Sequence, residues 1–436
     1  MGHVWRADLV DSRSVADAEN GFVSQQSIAC RLMRERLVYD PSNPVFRADP
    51  YPVYAYLREH EPLHWSDSRS IRVVSRYDDV ARVLRSPDVS RDVDVAAIDF
   101  DDDEAKRRDL RRLRGGAKSM LNLDPPDHTR LRALVSKAFT PRTVELLRPR
   151  VQQLVNDALS VADETGQIEL VDALAFPVPF QVISDMLDMP TERAVELRGW
   201  SSILTLALEA SATEADLAHA GWAVEQLVGF LIPVIEHRRT HLGDDVLSAL
   251  IVAEESGDRL SLPELISTVV LLYVAGHETT VNLIGNGALA LSKHPDQRAL
   301  WRSAGSDLDG NAIDELLRYD GPVQQTIRVP LVDMETSGGV IPAGHRVLTL
   351  LGSANRDDAA FHNPDTLQLD RDGSARHLSF AQGIHYCLGA ALARLEAQVA
   401  LGTMIRRYEH WDVVETPSWR DRLTIRGVDR LVLSLQ

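Results

Sequence analysis

Apolar residues recur at helical spacing through most of this chain, and at strand spacing in only a few short runs. The longest apolar pattern runs from Leu265 to Leu291 and stops at His294-Pro295. Ahead of it, Ser261-Leu262-Pro263-Glu264 has the form of a capping box with an early proline, a strong helix start. Together these predict one helix of roughly 30 residues and about 45 Å, long enough to cross a whole domain. Gly276, His277, Glu278, Asn282 and Asn286 interrupt it too often for a membrane span. Shorter amphipathic patterns predict helices over Tyr51–Glu59, Asp78–Arg85, Thr143–Val161, Ala173–Leu187, Glu192–Leu208, Glu214–His237, Asp244–Glu254 and Leu388–Ile405. Asp124-Pro125-Pro126-Asp127 opens another with acidic residues in its first turn. Leu63–Trp65 with Ile71–Val74 reads as a small hairpin, and Val347–Leu350 and Leu431–Leu435 as further strands. The expected fold class is mainly α with a small β region.

Composition narrows the picture. A chain of 436 residues, 44% hydrophobic and 25% charged, has the make-up of a globular protein large enough to bury a sizeable ligand. Its formal net charge of −17 argues against nonspecific nucleic-acid binding. Cys30 and Cys387 lie too far apart to form a disulfide framework, which points to a reducing cytoplasm. The first 21 residues are polar and carry no run apolar enough for a signal peptide or membrane anchor. Residues 1–38 read as an extension and 39–436 as a single domain. Between Asp92 and Lys118 an acidic run precedes a basic one around Gly115-Gly116, the pattern of a mobile charged loop.

Two stretches carry candidate chemistry. In the middle of the long helix, Ala275-Gly276-His277-Glu278-Thr279-Thr280 places a glycine beside a carboxylate in an apolar run. Glycine there costs about 1 kcal/mol relative to alanine, and a buried carboxylate costs several kcal/mol unless paired. Adjacent unfavourable choices mark function. The second stretch, Phe380-Ala381-Gln382-Gly383-Ile384-His385-Tyr386-Cys387-Leu388-Gly389, is a glycine-punctuated loop running into an apolar helix. A lone cysteine is ordinarily a small buried hydrophobe. This one sits at a helix N-terminus, where unpaired N–H groups and the helix dipole favour a thiolate. Zinc is the rival reading of a His-x-Cys pair, but no second pair stands at ligand spacing.

Phe-x-x-Gly-x-His-x-Cys-x-Gly resembles the haem-binding loop of the cytochrome P-450 family, and the resemblance covers the chain from about Tyr39 onward. It implies that haem b lies between the long helix and the cysteine loop, with Cys387 as axial ligand of the iron and Phe380 and Gly389 beside it. His385, His128, Arg132 and Arg328 are the implied partners of the haem propionates. Gly276, Glu278 and Thr279 match the family's oxygen-activating segment, in which glycine opens a groove for dioxygen and the acid–alcohol pair relays protons. Glu315 and Arg318 match a buried structural pair completed by Arg371. Ala381 stands where family members usually have glycine. The resemblance makes Val274, Ala275 and Gln324 candidate substrate contacts, and the charged loop a lid. Helices three and four of the middle region would roof the cavity, bringing in Leu204, Leu208, Trp222 and Leu227, although packing between helices explains those four equally.

The implied activity is hydroxylation or epoxidation of an apolar small molecule with dioxygen. Electrons would come from a ferredoxin and its reductase, as in soluble bacterial members, with Arg394 and Arg130 as candidate docking residues. A peroxide-driven enzyme or a noncatalytic haem-thiolate sensor would share the cysteine loop; the intact acid–alcohol pair favours the dioxygen enzyme.

Overall fold

The helix predicted to organise the chain spans Leu262–Lys293, 32 residues. Ser261 accepts the amide of Glu264 and the Glu264 carboxylate reaches back to the Ser261 amide, so the predicted capping box is made, with Pro263 in the first turn. From Val281 to Leu291 every residue is buried. This computed structural model describes residues 39–67, 69–96, 118–209, 212–255 and 260–436. The extension 1–38 and residues 97–117 of the charged loop 92–118 lie outside them. Contacts divide the chain into two units, Met1–Asp40 and Pro41–Gln436, and the fold below is that of the second.

Pro177–Leu187 and Ala390–Arg407, the latter following the cysteine loop, pack directly on the long helix. Small residues allow the close approach. A methyl group at Gly287 would meet Leu401 and Leu316, and one at Gly285 would meet Val428. Asp309–Asp320 fills the angle between the long helix and Ala390–Arg407. An outer pair, Ala194–Thr205 and Glu214–Thr240, packs against itself and leans on the long helix. Glu214–Thr240 is the single described helix long and apolar enough to cross a membrane by composition.

The β region is minor, as expected. Its largest sheet orders Leu63–Ser66, Ile71–Val74, Val347–Leu350, Gln325–Pro330 and Val89–Ser90, all antiparallel except the second and third. Val432–Leu435 pairs with Gln167–Glu169 and Trp411–Val413, and Ser418–Trp419 pairs with Val428–Arg430. Two helix boundaries differ from the sequence pattern. The stretch predicted as Thr143–Val161 is split into Pro141–Glu145 and Arg148–Thr165, because Pro149 starts a new helix in its first turn. The stretch predicted as Ala173–Leu187 begins with a π-turn, Val171–Ala175, and restarts at Pro177 for the same reason.

Candidate functional site

One cavity gathers most of the predicted chemistry. Ala275, Gly276 and Thr279 of the long helix line it, together with Phe380, His385, Cys387 and Gly389 of the cysteine loop and His128, Arg132 and Arg328. Several elements deliver them. His128 and Arg132 are one turn apart on helix Asp127–Val135. Arg328 lies on strand Gln325–Pro330, opposite Val347.

The loop that presents Cys387 is built in layers. The Cys387 amide donates to Phe380 O at 2.9 Å, closing the loop, and Gly383–His385 forms a 3-10 turn. Beneath it lies the predicted pair with its third member. Arg318 Nε donates to Glu315 Oε2 at 2.7 Å and Arg371 Nε donates to both Glu315 oxygens at 3.0 Å, all three side chains being buried. Their remaining N–H groups fasten the chain that leads to the loop: Arg318 Nη1 donates to Asn355 O and Pro364 O, and Arg371 Nη2 to Thr366 O. Asn355 in turn holds the Leu378 amide and Ser379 Oγ, just ahead of Phe380. Ala381 has φ +56°, the left-handed backbone that suits the glycine usual at this place.

Burial pushes the Cys387 thiol up; the Gly389 amide and the charges of Arg132 and Arg394 pull it back. The helix N-terminus alone, favoured in the sequence reading, is therefore outweighed by burial in the chain by itself. A bound cation of iron's charge would supply what is missing, since a coordinating thiol is deprotonated outright.

At one end of the cavity, arginine and imidazole side chains converge. The rings of His128 and His385 are 4.2 Å apart, and His128 Nδ1 and His385 Nε2 are buried without a hydrogen-bond partner. The proton affinity of His385 is held down to about 3, by burial first and then by the charges of His128, Arg328, Arg91 and Arg132. Burial and the neighbouring Arg91 likewise push Arg328 well below its ordinary value. Buried cations and orphaned imidazole nitrogens call for anions. A flat ligand bearing two carboxylates fits that end, and the open space where a methyl group on Gly389 would lie fits its face. The residues present thus suit haem. Among the described residues no three of His, Cys, Asp and Glu cluster as a metal site, so nothing there favours zinc.

Sequence reasoning missed Arg91, whose Nη1 donates to Ile327 O at 3.2 Å and whose side chain lines the cavity. It also missed Glu396. Its carboxyl is fully buried without a hydrogen-bond partner, and burial pushes its proton affinity well above the carboxylate range while Thr280 pulls the other way. An isolated glutamate in the apolar run after Cys387 was the visible signal.

On the long helix the picture is mixed. Thr279 Oγ1 donates to Ala275 O at 3.1 Å, one turn back, on the cavity side. Gly276 borders the cavity, but a methyl group there would strike Ile183 of helix Pro177–Leu187 at 2.8 Å, so close helix packing also requires glycine. Glu278 is buried and does not line the cavity; its Oε2 accepts Arg420 Nη1 at 2.8 Å. Val274 and Gln324 do not line it either. Val274 is buried about 100° around the helix from Ala275, and Gln324 spends its amide on Gly321 O and Tyr51 Oη. Nor do Leu204, Leu208, Trp222 and Leu227: Leu208 and Trp222 are exposed and Leu227 is in the core. The two docking candidates are both ion-paired, Arg394 with Asp314 at 2.7 Å and Arg130 with Glu264 at 2.5 Å.

A mainly helical fold with a cysteine loop bordering a cavity that ends in arginines and histidines fits the haem-thiolate class. Residues 310–422 match the Cytochrome P450 family. The chain is 41% identical over 396 residues to Cytochrome P450 107B1 of Saccharopolyspora erythraea, covering 88% of this chain and 95% of the relative. It is 40% identical over 397 residues to Cytochrome P450 monooxygenase PikC of Streptomyces venezuelae, covering 88% and 91%. The structure of CYP164A2 from Mycobacterium smegmatis superposes with a TM-score of 0.83 at 38% identity, covering 91% of this chain and 99% of that one. The chain belongs to the cytochrome P450 family and is a monooxygenase that works on small molecules with the help of redox partners.

Proposed function

We propose that this monooxygenase hydroxylates or epoxidises an apolar small molecule, using haem b, dioxygen and electrons delivered by a ferredoxin and its reductase. The observation that carries the reading is the sharing of one cavity by Cys387, Thr279 and a cluster of arginines with two orphaned imidazole nitrogens. Cys387 would ligate the iron, with the Gly389 amide donating to its sulfur. His128, Arg132, Arg328 and His385, joined by Arg91, would take the propionates through charge-assisted hydrogen bonds. When bound, the iron porphyrin supplies dioxygen activation and transfer of one oxygen atom to the substrate.

The chain does the rest. Met120, Leu121, Leu271, Leu272 and Leu351 give the cavity an apolar wall that favours an apolar substrate and excludes water. Thr279 presents the hydroxyl that passes a proton into the cavity, and Glu278, one residue before it, is the acid that resupplies it. Glu315, Arg318 and Arg371 hold the cysteine loop in place. The same reading has residues 39–436 acting as one catalytic domain in the cytoplasm, where Cys387 stays reduced.

Thr279→Ala tests the oxidant. With ferredoxin-supplied electrons, product formed per electron consumed should fall, while turnover supported by added hydrogen peroxide should not. Unchanged coupling would overturn the role of Thr279 and favour a peroxide-driven enzyme.

A further inference from the structure

Residues 420–427 form a strap between strands Ser418–Trp419 and Val428–Arg430, closed by the Arg420 amide on Gly427 O at 3.0 Å. The strap touches three parts of the molecule at once. Toward the outer helix pair, the buried Glu209 accepts the amides of Leu423 and Thr424 at 3.0–3.1 Å. Arg422 donates to Ser202 Oγ at 3.1 Å and to Thr205 Oγ1, at the end of Ala194–Thr205. Toward the cavity, Gln324 N donates to Thr424 O and Arg426 N to Pro322 O, and Pro322 lines the cavity wall. Toward the long helix, Arg420 reaches Glu278.

That last contact is singular. Among the described residues Arg420 is the only hydrogen-bond donor to the Glu278 carboxylate, and the next basic group, His277 Nε2, is 3.8 Å from Oε1, beyond hydrogen-bond reach. Burial keeps the His277 imidazole neutral. A buried carboxylate follows the cation it is hydrogen-bonded to, because leaving it unpaired is costly. We propose that Arg420 is the positioning residue for Glu278, and that the strap makes its hold depend on the outer helix pair. With the pair docked on Glu209 and Arg422, Arg420 keeps the carboxylate turned from the cavity; when the pair shifts, the strap carries Arg420 away and Glu278 turns toward Thr279. Proton supply is thereby gated by the state of the outer layer. This inference rests on the proposed role of Glu278 as the proton donor.

The test uses the haem-loaded enzyme without substrate, with electrons from a ferredoxin and its reductase. The readout is hydrogen peroxide released, each molecule of dioxygen taking up two electrons and two protons. Arg420→Ala should raise peroxide release several-fold, and Arg420→Lys should restore it toward wild type. Glu209→Ala, which touches neither Glu278 nor the cavity, should give the same rise, as should Arg422→Gln, whose charge also acts on Glu278. Adding Glu278→Gln should cancel it in every background. Hydrogen exchange should show the amides of Leu423 and Thr424 opened in Glu209→Ala, a readout independent of turnover; Glu209→Gln replaces it if the alanine variant does not fold. A rise in Arg420→Ala with none in Glu209→Ala and Arg422→Gln would overturn the coupling through the strap while leaving Glu278 as donor. A rise that survives Glu278→Gln would overturn the role of Glu278 itself, and the gating with it.

Discussion

Two buried ion clusters, one below the cysteine loop and one behind the long helix Leu262–Lys293, use the same residue types to opposite ends. The Glu315 carboxylate accepts from Arg318, Arg371 and the Gln368 amide, and both guanidinium groups spend their other N–H groups on backbone carbonyls. Glu278 has one donor, and Arg420 Nε is buried without a hydrogen-bond partner, its nearest carboxylate being Asp429 at 3.9 Å. The first cluster is closed and fixes geometry. The second is open, and an open pair can exchange partners. On the proposed reading, the saturated network would hold Cys387 still for the iron, and the undersaturated one would leave Glu278 free to handle protons.

The contrast is breakable. Glu315→Ala should be the most damaging substitution, because it leaves two buried guanidinium groups uncompensated: we expect a loss of about 3–5 kcal/mol in denaturant unfolding, or no folded protein. Arg420→Met should cost less, about 2 kcal/mol, since it removes a single charged hydrogen bond and Glu278 can turn to the cavity. If the two losses were equal, the distinction between closed and open clusters would fail.

Glu396 sharpens it further, as a buried acid with no cation at all. Its folded-state proton affinity is raised, so the unfolded chain gives up its proton at ordinary carboxylate pH while the native chain keeps it, and stability falls as pH rises through that window. Glu396→Gln should therefore raise the denaturation midpoint at neutral pH, with the gain vanishing toward about pH 4. A gain independent of pH would contradict it. The smallest effect belongs to Ala381. Glycine there relieves a left-handed conformation worth about 1–2 kcal/mol and gives back about 0.5–1 kcal/mol to the more flexible unfolded chain. Ala381→Gly should thus stabilise by roughly 0.5–1 kcal/mol, read from the same unfolding curves.

Local signals were legible in the sequence and long-range ones were not. The capping box of Ser261 and Glu264, the Glu315–Arg318 spacing and the Cys387 loop are written within a few residues of each other, and the departure at Ala381 surfaces as its positive φ. Arg420 meets Glu278 across 142 residues of sequence, and nothing in Trp419-Arg420-Asp421-Arg422 announces that the Arg420 side chain turns inward. Facing direction was equally hidden. Ala275 and Val274 are neighbours in a helix, and only the packing of Pro177–Leu187 and the strap decides which one sees the cavity.

The central claim is thiolate ligation by Cys387, and the most direct measurement is the absorption spectrum of the reduced, carbon-monoxide-bound protein beside that of Cys387→Ser. A strongly red-shifted Soret band in the wild type, lost in the variant, is the predicted result. An ordinary haem–carbon monoxide band in the wild type, or a protein that takes up no haem, would contradict it.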